Sequence, residues 1–270
     1  MKRLFLFLLM LLPVKGEIKV VTYNIRQDTG GDRGERDWGK RSQRVVEFLK
    51  KGGFSVIGLQ EAKHNQVEDL KKGLPTFIQV GVGRDDGKTR GEYSPILFDP
   101  GVWKADASEQ GTFWLSDTPE KPGSMTWGNR VTRICSWVRL TGNDGKSLYV
   151  YNTHWDHQSQ PSREKAAGLI LKRIAARKHS GDPVILMGDF NATTTNPAIK
   201  SLVKAGDLID HGGEAQKQTF NHWKPGLNDG LRIDHVFTSP SIKKGKLEVP
   251  AAGDPVDSDH NPVILTIPGT

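Results

Sequence analysis

Val184, Ile185, Leu186, Met187, Gly188, Asp189, Phe190, Asn191: four apolar residues run into a glycine, a carboxylate and an amide. An unbroken apolar run this short suits a strand covered on both faces. The polar residues that close it then lie at the rim of the core. The pattern recurs: apolar runs close at Thr22-Tyr23-Asn24, at Gln60-Glu61 and at Asn152-Thr153-His154, and two more open behind Arg232-Ile233-Asp234-His235 and Ser258-Asp259-His260-Asn261-Pro262. Polar clusters at the ends of six strands, spread over the whole length, describe one active site assembled at the mouth of a sheet core. A carboxylate beside an imidazole at a strand entrance is also how a histidine is oriented and made basic enough to take a proton from water.

Working outward, alternation predicts a strand over 18–24 with Asn24 at its outgoing end. Further strands are expected over 54–59, 77–82, 93–98, 133–140, 147–154, 184–187, 233–238 and 263–267. The spacing of Arg41, Val45, Phe48 and Leu49 predicts a helix from Asp37 or Trp38 to Lys51, closed by Gly52 and Gly53. Others are expected over 65–72, from Ser162 to about His179, and over 197–205, with proline at its start and Gly206 past its end. Asp86-Gly87 and Asn143-Asp144-Gly145 read as hairpin turns. Hairpins mixed with crossovers fit neither a simple doubly wound sheet nor an all-β barrel. They fit an α+β fold of two packed mixed sheets with helices on the outer faces, in one domain over 17–270.

Residues 1–16 differ from the rest. Lys2 and Arg3 precede an apolar run from Leu4 to Val14, and Val14-Lys15-Gly16 puts small residues where a signal peptidase cuts. The run is too short for a bilayer, which needs about 20 residues, so a signal peptide and a secreted or periplasmic mature chain, a monomer with no transmembrane anchor, are expected. Removing Lys2, Arg3 and Lys15 lowers the formal charge from +7 to +4. A mildly basic chain is compatible with a phosphate-bearing substrate, but the basic clusters at Arg173, Arg177, Lys178 and at Lys243, Lys244, Lys246 stand far in sequence from the polar motifs. The sole cysteine, Cys135, excludes an intrachain disulfide and reads as a buried strand thiol.

The candidate site residues Asn24, Glu61, Asp189, Asn191, Asp234 and Asp259 are rich in oxygen donors. Such sets suit hard cations, so magnesium, manganese or calcium is expected ahead of zinc. A zinc site would begin at His154 and His157, yet residues three apart on an extended strand face opposite ways.

Taken in order, Thr22-Tyr23-Asn24, Gln60-Glu61, Asn152-Thr153-His154, Gly188-Asp189-Phe190-Asn191, Ile233-Asp234-His235-Val236 and Ser258-Asp259-His260-Asn261-Pro262-Val263 resemble the motif series of the endonuclease/exonuclease/phosphatase superfamily, the deoxyribonuclease I-like fold. Gly81 to Lys88, with Gly91-Glu92-Tyr93-Ser94-Pro95-Ile96, further resembles a group of bacterial exported members. The resemblance implies a four-layer α/β/β/α sandwich that hydrolyses phosphoesters with a divalent metal, Mg2+ or else Mn2+ or Ca2+. It implies that Glu61 holds the metal with Asn24 and Asp259, and that His260, oriented by Asp259, activates the attacking water. By the same resemblance Asp189 positions or deprotonates that water, and Asn191 donates to the phosphoryl oxygens. His154 touches the phosphate or protonates the leaving oxygen, steadied by Asp234, and Arg133 binds phosphate.

Other residues read differently. Arg84 to Lys88 reads as a solvated turn or else as part of the site's lining, and His235 as a residue packed within its strand. Asp156 and His157 follow His154 closely enough to join the site, while Trp155 and Trp223 suit either stacking on a sugar or base or plain packing. The leading expectation is an exported metal-dependent phosphoesterase acting on a small-molecule or headgroup phosphoester. Its alternatives are a secreted nuclease acting on DNA or RNA, a catalytically silent ligand-binding protein of the same fold, and a carbohydrate hydrolase using the carboxylates directly.

Overall fold

In chain order the elements are β1 (Ile18–Asn24), α1 (Trp38–Lys51), β2 (Val56–Gln60), α2 (His64–Gly73), β3 (Ile78–Val80), β4 (Ile96–Phe98), β5 (Trp103–Trp114), β6 (Ile134–Gly142), β7 (Ser147–His154), α3 (Gln160–Ala175), β8 (Val184–Asp189), α4 (Pro197–Lys204), β9 (Ile209–Asp210), β10 (Asp234–Thr238), β11 (Lys246–Glu248) and β12 (Val263–Ile267). This computed structural model describes residues 17–212, 218–226, 230–242 and 244–268. The leader read at 1–16 and Lys243 of the second basic cluster lie outside the described residues.

Alternation within the strands decides the layers. Along β1, Val20 points to one side while Val21 and Tyr23 point to the other. Val20 meets Val56, Val138, Val150, Ile185, Met187 and Val263 between two six-stranded sheets, ordered β11-β12-β1-β2-β4-β3 and β5-β6-β7-β8-β10-β9. Val21 and Tyr23 face Val45 and Leu49 of α1 and Val67 and Leu70 of α2. On the far sheet Tyr151, Leu186 and Phe237 face Ala166 and Ile170 of α3 and Ile199 and Leu202 of α4. The result is the four-layer α/β/β/α sandwich, in which each buried aliphatic side chain contributes about 1.5–3 kcal/mol.

Pairing register then gathers the polar ends. Parallel β1 and β2 set Asn24 opposite Gln60, parallel β7 and β8 set His154 opposite Asp189, and antiparallel β10 sets Asp234 opposite Asp189. Just below that edge the sheets are bridged by Asn152, which donates to the carbonyls of Leu59 (2.8 Å) and Pro95 (2.9 Å) and accepts from Gln60 Nε2 (2.6 Å). Gly58 permits the approach: a Cβ there would stand 2.6 Å from Met187 Cε and 3.0 Å from Asn152.

Several elements differ from the sequence reading. β5 escapes it because Lys104 to Gln110 are mostly polar and half or fully exposed, on an edge strand whose register shifts between Ala105 and Gln110. β9 and β11 are too short to show a period. α3 starts at Gln160, capped by Ser159 accepting from Ser162 N, and stops at Ala175, where Arg177 turns back onto the carbonyls of Ile174 and Asp182. The strand expected over 93–98 begins only at Ile96, after Pro95.

His235 packs in its strand, as read from sequence, between Phe190 and Phe237, with Nε2–H donating to Ala192 O at 2.8 Å. Burial, aided by Arg232, pushes its imidazole down to about 4 from an ordinary 6.5. Between those values the unfolded chain binds a proton that the native chain excludes, so stability falls as pH drops through that window, by roughly 3 kcal/mol at its lower end. Urea midpoints at pH 7 and pH 4.5 are expected to fall less in His235→Gln, which keeps the donor and loses the titration; equal falls would place the acid sensitivity elsewhere.

Candidate active site

Asn24 joins the site together. Its Nδ2 lies 3.1 Å from Glu61 Oε1, 3.0 Å from Asp189 Oδ2 and 3.5 Å from His260 Nε2, while its Oδ1 accepts from Arg26 N at 2.9 Å. One amide thus links the mouths of both sheets to the segment before β12. The backbone around it is bent to suit: Arg26, Glu61 and Asn191 sit at φ 56°, 64° and 48°. Non-glycine residues hold such conformations at a cost of about 1–3 kcal/mol each, where the surroundings enforce them. At Glu61 the reversal sends Gln60 into the inter-sheet bridge and its neighbour into the mouth.

Buried Arg41, on the core-facing side of α1, enforces part of this. Its guanidinium donates to the carbonyls of Ile25, Arg26 (2.6 Å) and Gln27 (3.3 Å). Ser258 Oγ donates to Asn24 O at 2.7 Å. Gly188 is required as glycine, because φ is +149° and a Cβ would collide with Thr153 O on the neighbouring strand.

His260 is oriented by Asp234 rather than by Asp259. Its Nδ1 is 2.8 Å from Asp234 Oδ2, whereas Asp259, the preceding residue in an extended segment, turns the other way toward Arg26, 3.9 Å off. Asp234 therefore does not steady His154. That ring instead takes the amide of Asn191 (Nδ2 to Nε2, 3.1 Å) and lies 3.4 Å from Asp189 Oδ2 and 3.8 Å from Glu92 Oε2.

The charges divide sharply. Burial alone would lower His260, but Asp234 and Asp189 outweigh it and hold the ring up to about 10, as an imidazolium. Burial and the charge of Asp234 raise Asp189 to about 7, against the pull of His260 and the N–H groups of Asn191 and Asn24. Burial, with Arg133 and Arg84 nearby, keeps His154 well below its ordinary range and neutral. Glu61 is held low despite its burial by Gln27 N–H (3.0 Å), His260, Asn24 and Arg26. Burial raises Asp259.

Carboxylate oxygens of Glu61 and Asp259 flank one end of the mouth, with Arg26 Nη1 3.9 Å from both, while Asn24 turns its amide N–H groups to Glu61 and its oxygen to Arg26 N. A guanidinium drawn to that spot shows that the pair favours positive charge, and two carboxylates, one of them braced by the Asn24 amide, offer hard-cation donors. Asp189, Asp234 and His260 form a second group whose ligand atoms lie within 4.8 Å of one another, but the His260–Asp234 hydrogen bond commits it to proton chemistry.

The mouth opens into a cleft of about 490 Å³. Arg133, buried just before β6, reaches it with Nη2 at 3.1 Å from His157 Nδ1, while its Nε and Nη1 have no hydrogen-bond partner among the described residues. His154 and His157 both line the cleft, because β7 ends at His154 and Asp156 Oδ1 then turns the chain by accepting from Gln158 and Ser159 N–H. Trp155 is core, edge-on to Phe190, and Trp223 lies under Arg36 and Arg41. Arg84 lines it, the alternative read for its turn, as do residues not singled out for the site from sequence: Arg26, Lys63, Glu92 and Phe220, the last tilted against His260 with ring centroids 4.9 Å apart. The turn at 84–88 is thus not wholly solvated, since Arg84 points inward to Glu92; its glycine-flanked charges were the signal available.

A family model described as the Endonuclease/Exonuclease/phosphatase family matches residues 21–260. An endonuclease/exonuclease/phosphatase structure from Bacteroides vulgatus superposes with a TM-score of 0.85 at 31% identity, covering 93% of this chain and 98% of that one. A mannosyl-6-phosphatase from Bacteroides thetaiotaomicron gives a TM-score of 0.83 at 32% identity, covering 93% and 99%. A probable RNA exonuclease of Saccharomyces cerevisiae is 26% identical over 209 residues, which take in 70% of this chain and only 40% of that protein.

Proposed function

The chain belongs to the endonuclease/exonuclease/phosphatase family of phosphoester hydrolases, and from that premise we propose that it is an exported enzyme that uses a divalent metal to hydrolyse a small-molecule or headgroup phosphoester. The observation that carries this reading is the hydrogen-bonded set Asn24, Glu61, Asp189, His260 and Asp234 beside a cleft lined by Arg133.

A magnesium ion, or else manganese or calcium, held by Glu61 and Asp259, with the Asn24 amide bracing Glu61, would supply positive charge to a phosphoryl oxygen. Asp189, with a pKa of about 7, accepts the proton of the attacking water near neutral pH. Imidazolium His260, its orientation set by Asp234, donates Nε2–H toward the developing charge, joined by Asn191 and Arg133. His154, whose Nε2 accepts from Asn191, presents Nδ1–H as a neutral donor. In place of a His260–Asp259 pair, water activation falls to Asp189, since an imidazolium His260 has no lone pair to take a proton.

A panel of phosphoesters (linear and plasmid DNA, RNA, nucleotides, sphingomyelin, phosphoinositides, sugar phosphates), each with and without magnesium, tests the function. Magnesium-dependent turnover of a small or headgroup ester is expected; preference for DNA or RNA would move the substrate to nucleic acid and leave the catalytic assignments in place. We also propose that residues 1–16 are removed on export, leaving the catalytic domain at 17–270. Intact mass of the protein recovered outside the cytoplasm of a bacterial host is expected to start at Glu17, and a chain starting at Met1 would reject export by cleavage.

A further inference from the structure

A second pair of charged side chains, Arg84 and Arg133, lines the same cleft beside Asp85 and Glu92. The turn from Gly83 to Glu92 is tied internally by Gly83 N to Lys88 O (3.0 Å), Arg84 N to Glu92 O (3.0 Å) and Asp85 N to Arg90 O (3.1 Å). It is also bolted to its surroundings: Trp114 Nε1 donates to Arg84 O at 2.6 Å, and Tyr93 Oη donates to Lys88 O at 3.0 Å. Pro122 packs close enough that a Cβ on Gly87 would stand 3.0 Å from it. A turn held this way is a fixed wall.

From that wall Arg84 reaches inward. Its Nη1 pairs with Glu92 Oε2, its Nε lies 3.9 Å from Asp85 Oδ1, and that Nε has no hydrogen-bond partner among the described residues. Arg133 lines the same space, with its Nε and Nη1 buried and unpartnered among the described residues and Asp156 at 4.0 Å. Two largely buried guanidiniums lining one cleft repel each other, and an anion seated between them relieves that repulsion.

We propose that Arg84 and Arg133 clamp the terminal phosphate of a phosphomonoester, which makes this enzyme a monoesterase; the proposal rests on the phosphoesterase reading of the same cleft. A monoester phosphate carries nearly two negative charges and three terminal oxygens, enough for the hard-cation end of the mouth and two arginines at once. A diester has one charge and two such oxygens, and its second ester arm has to pass the wall built by 83–92.

The test compares p-nitrophenyl phosphate with bis(p-nitrophenyl) phosphate, both with magnesium, on wild type, Arg84→Met and Arg84→Lys, with folding checked by near-UV circular dichroism. Wild type is expected to favour the monoester. Arg84→Met should lower its kcat/KM about 100-fold while changing diester turnover less than about threefold, and Arg84→Lys should fall between. A wild-type preference for the diester, or equal losses on both substrates, overturns the proposal. Calorimetry of inorganic phosphate binding to metal-free protein separates the two readings. If neither ester turns over yet phosphate binds wild type and not Arg84→Met, the esterase reading fails and the clamp stands; if phosphate binds both equally, the clamp fails.

Discussion

Asp234→Asn is expected to lower kcat by about a thousandfold, because the carboxylate both fixes the orientation of the His260 ring and keeps it cationic. Its Oδ2 holds His260 Nδ1 at 2.8 Å inside a fully buried setting, where a neutral amide cannot sustain an imidazolium. His260→Ala should cost a similar factor, and the double variant little more, since the pair acts as a unit. Asp259→Asn separates the neighbouring carboxylates. Lying by Arg26 and Glu61 rather than on the imidazole, it should raise the metal concentration needed and recover rate as metal is added. Additive losses from Asp234 and His260, or recovery of Asp234→Asn by excess metal, would break this assignment.

Glu61→Gln is expected to remove at least about 100-fold of the magnesium-dependent rate with the fold intact, since it deletes a hard anionic ligand at a strand mouth and leaves the core alone. The amide keeps the size of the side chain and its contact with Asn24, so near-UV circular dichroism should not change. Loss of manganese binding, read by electron paramagnetic resonance, should accompany the loss of rate. Turnover equal to wild type at saturating magnesium would show that Glu61 does not hold the ion.

Much of the sandwich was legible because its strands are short and their ends chemically marked. β1, β7 and β12 keep the bounds that alternation predicted, and the polar residues closing β1, β2, β7 and β8 meet at one edge as expected. Local adjacency misled where the decisive neighbour came from another strand. Asp259 sits next to His260 in sequence, but the carboxylate that touches the ring is set by the register of β10 against β8. Arg84 was left between two readings for a related reason: a charged residue in a glycine-rich turn reads as solvated or site-lining until the packing of Trp114 and Pro122 against that turn is known. Arg41 kept a helical period yet serves the carbonyls of 25–27, a task no periodicity announces.

The most direct test of metal-dependent catalysis at this mouth is phosphate release from a turned-over phosphoester by the mature wild-type protein, followed through chelation by EDTA and re-addition of magnesium. Catalysis by the Glu61, Asn24 and Asp259 end of the site predicts that release stops with the chelator and returns with the metal. Release that continues unchanged in EDTA would contradict it.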